Sequence, residues 1–223
     1  MGGDVQEQEA AMKSTPAEIL REYGPFPGVE KVHGVTFDGS RVWFASGERL
    51  NALDPAKGIV ERSLEVTAVA GTAFDGTHIF QIAADRIQKI DPRSGKVLKT
   101  IPAPAEGAAG MAWAEGSLWV GQHRNRKILQ IDPETGAVLR SIEAKRQVTG
   151  VTWVEGELWH GTWENEQSDI RRIDPKTGAV LEQLDMPAGM VVSGLEADGK
   201  DRFYAGGGPS GTVRAVKRPR REA

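Results

Sequence analysis

Short apolar stretches alternate with polar turn residues along almost the whole chain. Between residues 110 and 142 the apolar stretches are GMAW, SLWVG, KILQI and AVLRSI, each the length of a β-strand and rich in Val, Ile and Trp. Two kinds of turn separate them: an acidic residue followed by Gly, and the pattern Asp-Pro-x-x-Gly. Both favour hairpins, because Gly adopts positive φ without steric cost and Pro presets φ at the second turn position. The pattern therefore predicts consecutive antiparallel strands.

This four-strand unit repeats along the chain. The Asp-Pro-x-x-Gly pattern begins at four positions that lie 37, 41 and 42 residues apart: Asp54, Asp91, Asp132 and Asp174. An acidic residue followed by Gly recurs in phase five times: Asp38-Gly39, Asp75-Gly76, Glu115-Gly116, Glu155-Gly156 and Asp198-Gly199. Another Gly precedes each pair by four or five residues: Gly34, Gly71, Gly110, Gly150 and Gly194. Four antiparallel strands in about 40 residues is the blade of a β-propeller.

The sequence thus predicts an all-β, five-bladed β-propeller with four antiparallel strands per blade. The fifth unit ends after its third strand, TVRAV, which would leave a strand edge unpaired. The segment AEILREYGPFP has the fourth-strand pattern of the other units, so residues 19–23 are expected to complete the last blade and close the ring. The predicted organisation is a disordered lead over 1–15, one propeller over 16–217 and a basic tail over 218–223. The expected blades are at about 29–66, 67–103, 104–145, 146–187, and 188–217 plus 16–27.

The two ends of the blades differ in sequence. If the strands of a blade are lettered a to d in chain order, the stereotyped a–b and c–d turns share one face of the ring. The irregular b–c loops and the d–a crossovers share the other face with the mouth of the central channel. Because function tends to reside in variable loops on a rigid scaffold, we place the site at this axial mouth.

Eight side chains are candidates for that site. Trp163 fits no repeated core position, whereas packing between blades explains the other five tryptophans: Trp43, Trp113, Trp119, Trp153 and Trp159. Glu196 interrupts a series of small strand-a residues, and burial in the channel would raise its pKa, which suits a general acid or base. The catalytic candidates are Glu196, Glu164 and His123. The ligand-binding candidates are His33, Gln122, His160, Trp163 and Asn165.

Trp163, Glu196 and the histidines also have a purely structural explanation. Trp163 would instead cover a blade edge or a contact surface, Glu196 would point to solvent, and each histidine would be a hydrogen-bonded part of the scaffold. The sequence leaves these alternatives open.

The amino-acid composition restricts the binding partners and the cellular compartment that we expect for the protein. The 223 residues contain 28 basic and 31 acidic side chains, and this balance gives no electrostatic case for nucleic acid or an anionic membrane as the main partner. The absence of Cys excludes disulfides and thiolate metal sites. The N-terminal residues lack the apolar segment of a signal peptide. We expect a soluble cytoplasmic monomer, or a periplasmic one if a signal was removed, that takes a small molecule or peptide.

Units such as GMAWAEGSLWVGQHRNRKILQIDPETGAVLRSI and GVTWVEGELWHGTWENEQSDIRRIDPKTGAVLEQL resemble repeats of the streptogramin-lyase-like and glutaminyl-cyclotransferase-like propellers. The resemblance covers nearly all of residues 17–217. The five-blade count is similar to that of plant and bacterial glutaminyl cyclotransferases, which convert N-terminal Gln to pyroglutamate with loss of ammonia. For that activity the resemblance implies a proton-shuttling carboxylate, Glu196 or Glu164. The FTQGL-type segment of that family is replaced here by VHGVTF.

Streptogramin lyases are seven-bladed and use a His base near a Mg²⁺ site, and the resemblance to them implies corresponding roles for the loops of His123 and Glu164. The one cofactor left open is therefore a divalent cation, Mg²⁺ or Ca²⁺, at the channel mouth. The leading hypothesis is a module that binds a small molecule or peptide. The alternatives are an enzyme, either a cyclotransferase or a lyase, and a protein-interaction platform, against which the polar b–c loops argue.

Overall fold

The computed structural model describes residues 12–220, which form twenty-one strands in five sheets. Each sheet is one blade of a five-bladed β-propeller, as the repeat predicts. The first two strands are β1 (Lys13–Pro16) and β2 (Ile19–Tyr23). Blade 1 contains β3 (Val35–Phe37), β4 (Val42–Ala45), β5 (Gly47–Asp54) and β6 (Ile59–Ala68). Blade 2 contains β7 (Thr72–Phe74), β8 (Ile79–Ala83), β9 (Arg86–Ile90) and β10 (Val97–Pro102).

The remaining blades follow the same order. Blade 3 contains β11 (Ala108–Ala114), β12 (Ser117–Gln122), β13 (Lys127–Ile131) and β14 (Val138–Glu143). Blade 4 contains β15 (Val148–Val154), β16 (Glu157–Thr162), β17 (Asp169–Ile173) and β18 (Val180–Asp185). Blade 5 contains β19 (Gly194–Ala197), β20 (Arg202–Gly206) and β21 (Val213–Lys217), with β2 as its fourth strand.

The ring closes through β2, as the sequence predicts. Strand β2 pairs antiparallel with β21, with Tyr23 opposite Val213 and Ile19 opposite Val216. Tyr23 is buried, and its hydroxyl donates a hydrogen bond of 3.1 Å to the Pro55 carbonyl of blade 1. The closing segment therefore completes blade 5 and also contacts the next blade.

Strand β1 was not expected. It adds a fifth strand to blade 4, parallel to β18, with Lys13 opposite Glu182 and Pro16 opposite Asp185. The expected disordered lead therefore does not extend over residues 13–15, while residues 1–11 lie outside the described part of the chain. The physical reason is that the outer strand of a blade has an unpaired edge to which any extended backbone can bond.

The Asp-Pro-x-x-Gly turns have the predicted chemistry. Oδ1 of Asp132 accepts hydrogen bonds of 2.8 Å from the backbone N–H groups of Glu134 and Thr135. The N–H of Gly136 closes the turn onto the Asp132 carbonyl at 2.8 Å, with φ of +77° at the glycine. These turns fix the c–d ends of the first four blades on the face away from the variable loops.

Aromatic side chains fill the spaces between blades, as expected for the tryptophans of strands a and b. Trp43, Trp119 and Trp159 are buried. Ring pairs join neighbouring blades at centroid distances of 5.0 to 5.5 Å: Phe80–Trp113, Trp119–Trp153 and Trp159–Phe203. Five apolar clusters, which include these rings, make up the core.

Five glycines bring the innermost strands together at the axis: Gly34, Gly71, Gly110, Gly150 and Gly194. A Cβ atom added at Gly71 would lie 2.4 Å from the Ala109 carbonyl oxygen, and one at Gly110 would lie 2.5 Å from the Gly150 Cα. The other three have backbone neighbours within 2.4 to 2.7 Å of the same position. Only Gly permits this backbone contact, so this glycine ring separates the axial mouth from the channel beneath it.

Candidate functional site

A cavity of about 440 Å³ lies at the axial mouth, directly outside the glycine ring. Its floor consists of the residues that immediately precede the five ring glycines: His33, Ala70, Ala109, Thr149 and Ser193. Loops and crossovers of the variable face form its walls: Lys31, Val69, His123, Arg124, Trp163 and Val191. The size and the mixture of apolar and polar walls are those of small-ligand sites.

Three of the eight predicted site residues line this cavity: His33, His123 and Trp163. They come from different blades, since His33 precedes β3, His123 follows β12 and Trp163 follows β16. The other five do not line it.

The two cavity histidines are held neutral. Burial lowers the pKa of His33, and the charge of Lys31 lowers it further. Burial also lowers the pKa of His123, with Arg124 acting in the same direction and Glu164 opposing it. Neither imidazole ring forms a hydrogen bond with another part of residues 12–220. Each therefore presents a nitrogen lone pair and an N–H group to whatever enters the cavity.

Trp163 is positioned by its loop and by an arginine of the neighbouring crossover. Its backbone N–H donates to the Gln147 carbonyl at 3.3 Å. Arg146 donates to the Glu164 carbonyl at 3.0 Å and to the Asp169 carboxylate at 2.7 Å. These contacts fix both sides of the tryptophan, whose ring is outside the five apolar clusters of the described residues. The ring is therefore not required by the core.

The other loop candidates have structural contacts. The Glu164 carboxylate is paired with Arg126 and Arg146. Asn165 lines a separate, outer cavity beside Arg146. Gln122 donates a hydrogen bond of 2.6 Å to the Ala105 carbonyl. These three residues therefore hold the loops of the variable face and do not face the mouth cavity.

His160 is fully buried within blade 4. Its Nδ1 lies 3.3 Å from the Gly161 carbonyl oxygen, and its Nε2 has no hydrogen-bond partner in the described structure. Burial lowers its pKa to about 4. The equivalent places in the other blades are also buried: Phe44, Gln81, Val120 and Tyr204. This position is part of the core in every blade.

Glu196 lies on the far side of the glycine ring from the mouth. Its Oε2 accepts a hydrogen bond of 2.8 Å from the Thr36 hydroxyl, and its Oε1 accepts bonds from the Thr152 hydroxyl at 2.6 Å and the Ala197 N–H at 3.0 Å. Burial raises its pKa to about 7, as its place in the sequence predicts, and these hydrogen bonds oppose the rise. The carboxyl group joins blades 1, 4 and 5 at the axis but does not line the mouth cavity.

We expect Glu196→Gln to stabilise the protein above neutral pH. The folded-state pKa of Glu196 is raised from 4.5 to about 7, so its stabilising contribution is present below pH 4.5 and is lost as pH rises through 7. Gln keeps acceptor and donor groups for Thr152 and Thr36 but cannot ionise. Thermal unfolding should therefore show the variant more stable than wild type by roughly 2–3 kcal/mol at pH 9. Below about pH 4 the two should be alike, and a pH-independent difference would contradict the assignment.

A divalent cation at the mouth has no ligand set in residues 12–220. Within this range no group of three or more His, Asp or Glu side chains is arranged to hold a metal ion. The cavity lining offers His33 and His123 but no carboxylate, whereas Mg²⁺ and Ca²⁺ prefer oxygen ligands. The described residues therefore do not fit the metal that the resemblance to streptogramin lyases left open.

Sequence reasoning missed several residues of the cavity, among them Lys31, Arg124, Thr149 and Ser193. A signal for the floor was present, because Thr149 and Ser193 each directly precede a glycine of the repeated strand-a pattern. Thr149 is 8% exposed, and its hydroxyl has no hydrogen-bond partner in the described structure. The position before each ring glycine is therefore the repeat position that lines the cavity.

Comparisons with known proteins identify the fold. No protein-family model matches the chain, and no curated protein matches it. Among solved structures, a glutaminyl cyclase from Myxococcus xanthus aligns with a TM-score of 0.74 and 17% identity, over 92% of this chain and 97% of that one.

Two other structures align less completely. Hydrazine synthase from Kuenenia stuttgartiensis has a TM-score of 0.51 and 19% identity, over 80% of this chain and 56% of the enzyme chain. The WD40 β-propeller domain of Doa1 has a TM-score of 0.53 and 16% identity, over 83% and 63% of the two chains. Residues 12–220 contain no helix with the length and apolar character needed to cross a membrane. The chain is a five-bladed β-propeller that shares its fold with a bacterial glutaminyl cyclase.

Proposed function

We propose that the protein binds a small molecule or the end of a peptide in the mouth cavity. The observation that supports this most directly is the cavity itself, because side chains from different blades meet there around a floor made by the innermost strands. Two imidazole rings without a hydrogen-bond partner in the described residues and an aromatic ring line the same space: His33, His123 and Trp163. Such a combination gives a ligand both orientation and apolar contact.

Trp163 supplies the sharpest test of this proposal. Its ring lies at the cavity wall without being part of the core, so its removal should affect binding more than folding. The matched control is Gln167→Ala, which changes an exposed side chain of the same loop that lines only the outer cavity.

We expect the wild-type protein to bind some compounds of a panel of amino acids and short peptides that includes a Gln-initiated tripeptide. Binding is detected by saturation transfer from the protein to the compound in ligand-observed NMR. Trp163→Ala should weaken binding of those compounds about tenfold or more, the usual range for removing a stacked aromatic anchor. Gln167→Ala should bind as wild type does. If no compound binds, or if Trp163→Ala binds them equally well, the mouth cavity is not the site.

A second candidate function is glutaminyl cyclisation, favoured by the alignment with nearly the whole length of a glutaminyl cyclase. In that reaction the α-amino nitrogen attacks the side-chain amide carbon, the bond to the amide nitrogen breaks, and ammonia leaves with the proton that the amine gives up. A neutral imidazole can accept and return that proton. His33 and His123 are the groups that line the cavity and have suitable pKa shifts.

The tripeptide sample decides between binding and turnover. Ammonia release that depends on His33 or His123 would support the cyclase. Binding without ammonia at high protein concentration would leave the protein as a binding module.

A further inference from the structure

We propose that the ligand of the mouth cavity bears an anionic group, a carboxylate or a phosphate, attached to a flat apolar part. This inference rests on the proposed function and adds the chemical class of the ligand. Three independent features of the cavity support it.

The first feature is the sign of the charges around the cavity. Lys31 and Arg124 line the rim, and none of the described residues that line the cavity is Asp or Glu. The carboxylate of Glu164 acts on His123 electrostatically, but it is already paired with Arg126 and Arg146. An anion therefore enters a positive potential that the described walls do not cancel.

The second feature is the pair of imidazole rings that line the cavity. His33 and His123 come from blades 1 and 3, and neither ring is hydrogen-bonded within residues 12–220. Each ring carries an N–H group that a ligand acceptor would satisfy. A carboxylate or phosphate is suited to such a pair, because its oxygens accept several hydrogen bonds at once.

The third feature is the apolar wall. Trp163 provides a flat ring, and Val69, Val191 and Pro209 are further apolar residues that line the same cavity. A ligand with an aromatic or other flat apolar part would contact this wall while its anionic group meets the donors on the floor and the cations at the rim.

Four probes with one ring and different head groups test the proposal: phenylacetate, phenyl phosphate, phenylacetamide and phenethylammonium. Dissociation constants are measured by NMR titration of the full chain at low ionic strength. We expect at least one anion to bind about tenfold more tightly than phenylacetamide, since charge-assisted hydrogen bonds are about twice as strong as neutral ones. Phenethylammonium should bind more weakly still, and the ratio of the two anions distinguishes a carboxylate from a phosphate ligand.

Variants assign the preference to the cavity. Lys31→Gln combined with Arg124→Gln should remove most of the preference for the anion and leave the affinity for phenylacetamide unchanged. His123→Phe, which keeps a planar ring without the N–H group, should weaken anion binding severalfold. Arg93→Gln is the control, because Arg93 is an exposed cation in a c–d turn on the opposite face and should change nothing.

The outcomes separate the two proposals. If phenylacetamide and the anions bind equally well at a site sensitive to Trp163→Ala, the cavity is a ligand site but the anionic class is wrong. The anionic class is also wrong if the double variant keeps the full preference. If none of the four probes binds although a compound of the amino-acid and peptide panel does, this inference is overturned and the assignment of the cavity stands. If neither set binds, both are overturned.

Discussion

A chain that begins at residue 25 is expected to lose cooperative folding. It lacks β2, so β21 keeps β20 on one side but loses its antiparallel partner on the other side and becomes an open edge. Buried Tyr23 is lost as well, and its former neighbours Val213 and Ala215 in the apolar cluster of blades 1 and 5 are exposed to water. The combined cost should exceed the about 5–15 kcal/mol that stabilises a typical domain. Circular dichroism during thermal unfolding should show no sharp transition for this chain, and gel filtration should show aggregation.

Two shorter deletions are the controls. Removing residues 1–12 leaves β1 and β2 intact and should leave the transition unchanged. Removing residues 1–16 takes away only β1, the outer fifth strand of blade 4, and should lower stability slightly. A monomeric and cooperatively folded chain of residues 25–223 would show that β2 does not close the ring.

Gly110→Ala is expected to destabilise the protein far more than Gly116→Ala, although the two glycines belong to one hairpin. A methyl group at Gly110 would lie 2.5 Å from the Gly150 Cα and 2.6 Å from the Val151 nitrogen. Both neighbours are backbone atoms of the next blade and cannot move aside without shifting a strand. Such overpacking costs about 3 kcal/mol or more.

Gly116 provides the contrast. It has φ of +70° and no atom within 4 Å of an added Cβ, so Ala there costs only the backbone strain of about 1–2 kcal/mol. Urea unfolding of the two variants measures the difference directly. Equal losses of stability would mean that the strands at the axis do not depend on backbone contact.

The sequence predicted the fold well because each blade repeats the same local chemistry. Asp132 and its equivalents form the turns that the Asp-Pro-x-x-Gly pattern predicts, and residues 19–23 show the fourth-strand pattern that blade 5 lacks. Strand β1 escaped notice because KSTP has no alternation of apolar and polar residues. Its pairing depends on the open edge of blade 4, which is a property of the folded ring and not of the local sequence.

The residues that line the mouth cavity were predicted less completely. His33, His123 and Trp163 were identified from their places in loops and crossovers, and the structure brings them to one cavity. Glu196 was correctly placed next to the axis, but the pattern could not show on which side of the glycine ring it lies. Glu196 lies two residues beyond Gly194 along β19, and this distance along the strand places its carboxyl group on the far side of the ring. His160 is polar within a core strand, and its role depends on neighbours from other strands that spacing alone does not reveal.

The pairing of β2 with β21 also determines how the ring would yield to force. Ile19 and Val216, the pair nearest the two ends of the chain, lie at the same end of this ladder, and Tyr23 and Val213 lie at the other. Tension applied between the termini, once β1 has detached, would therefore unzip the strands one pair at a time from Ile19 inward. The buried Tyr23 would separate last. The other four blades would bear little load until the pairing of β2 with β21 had broken.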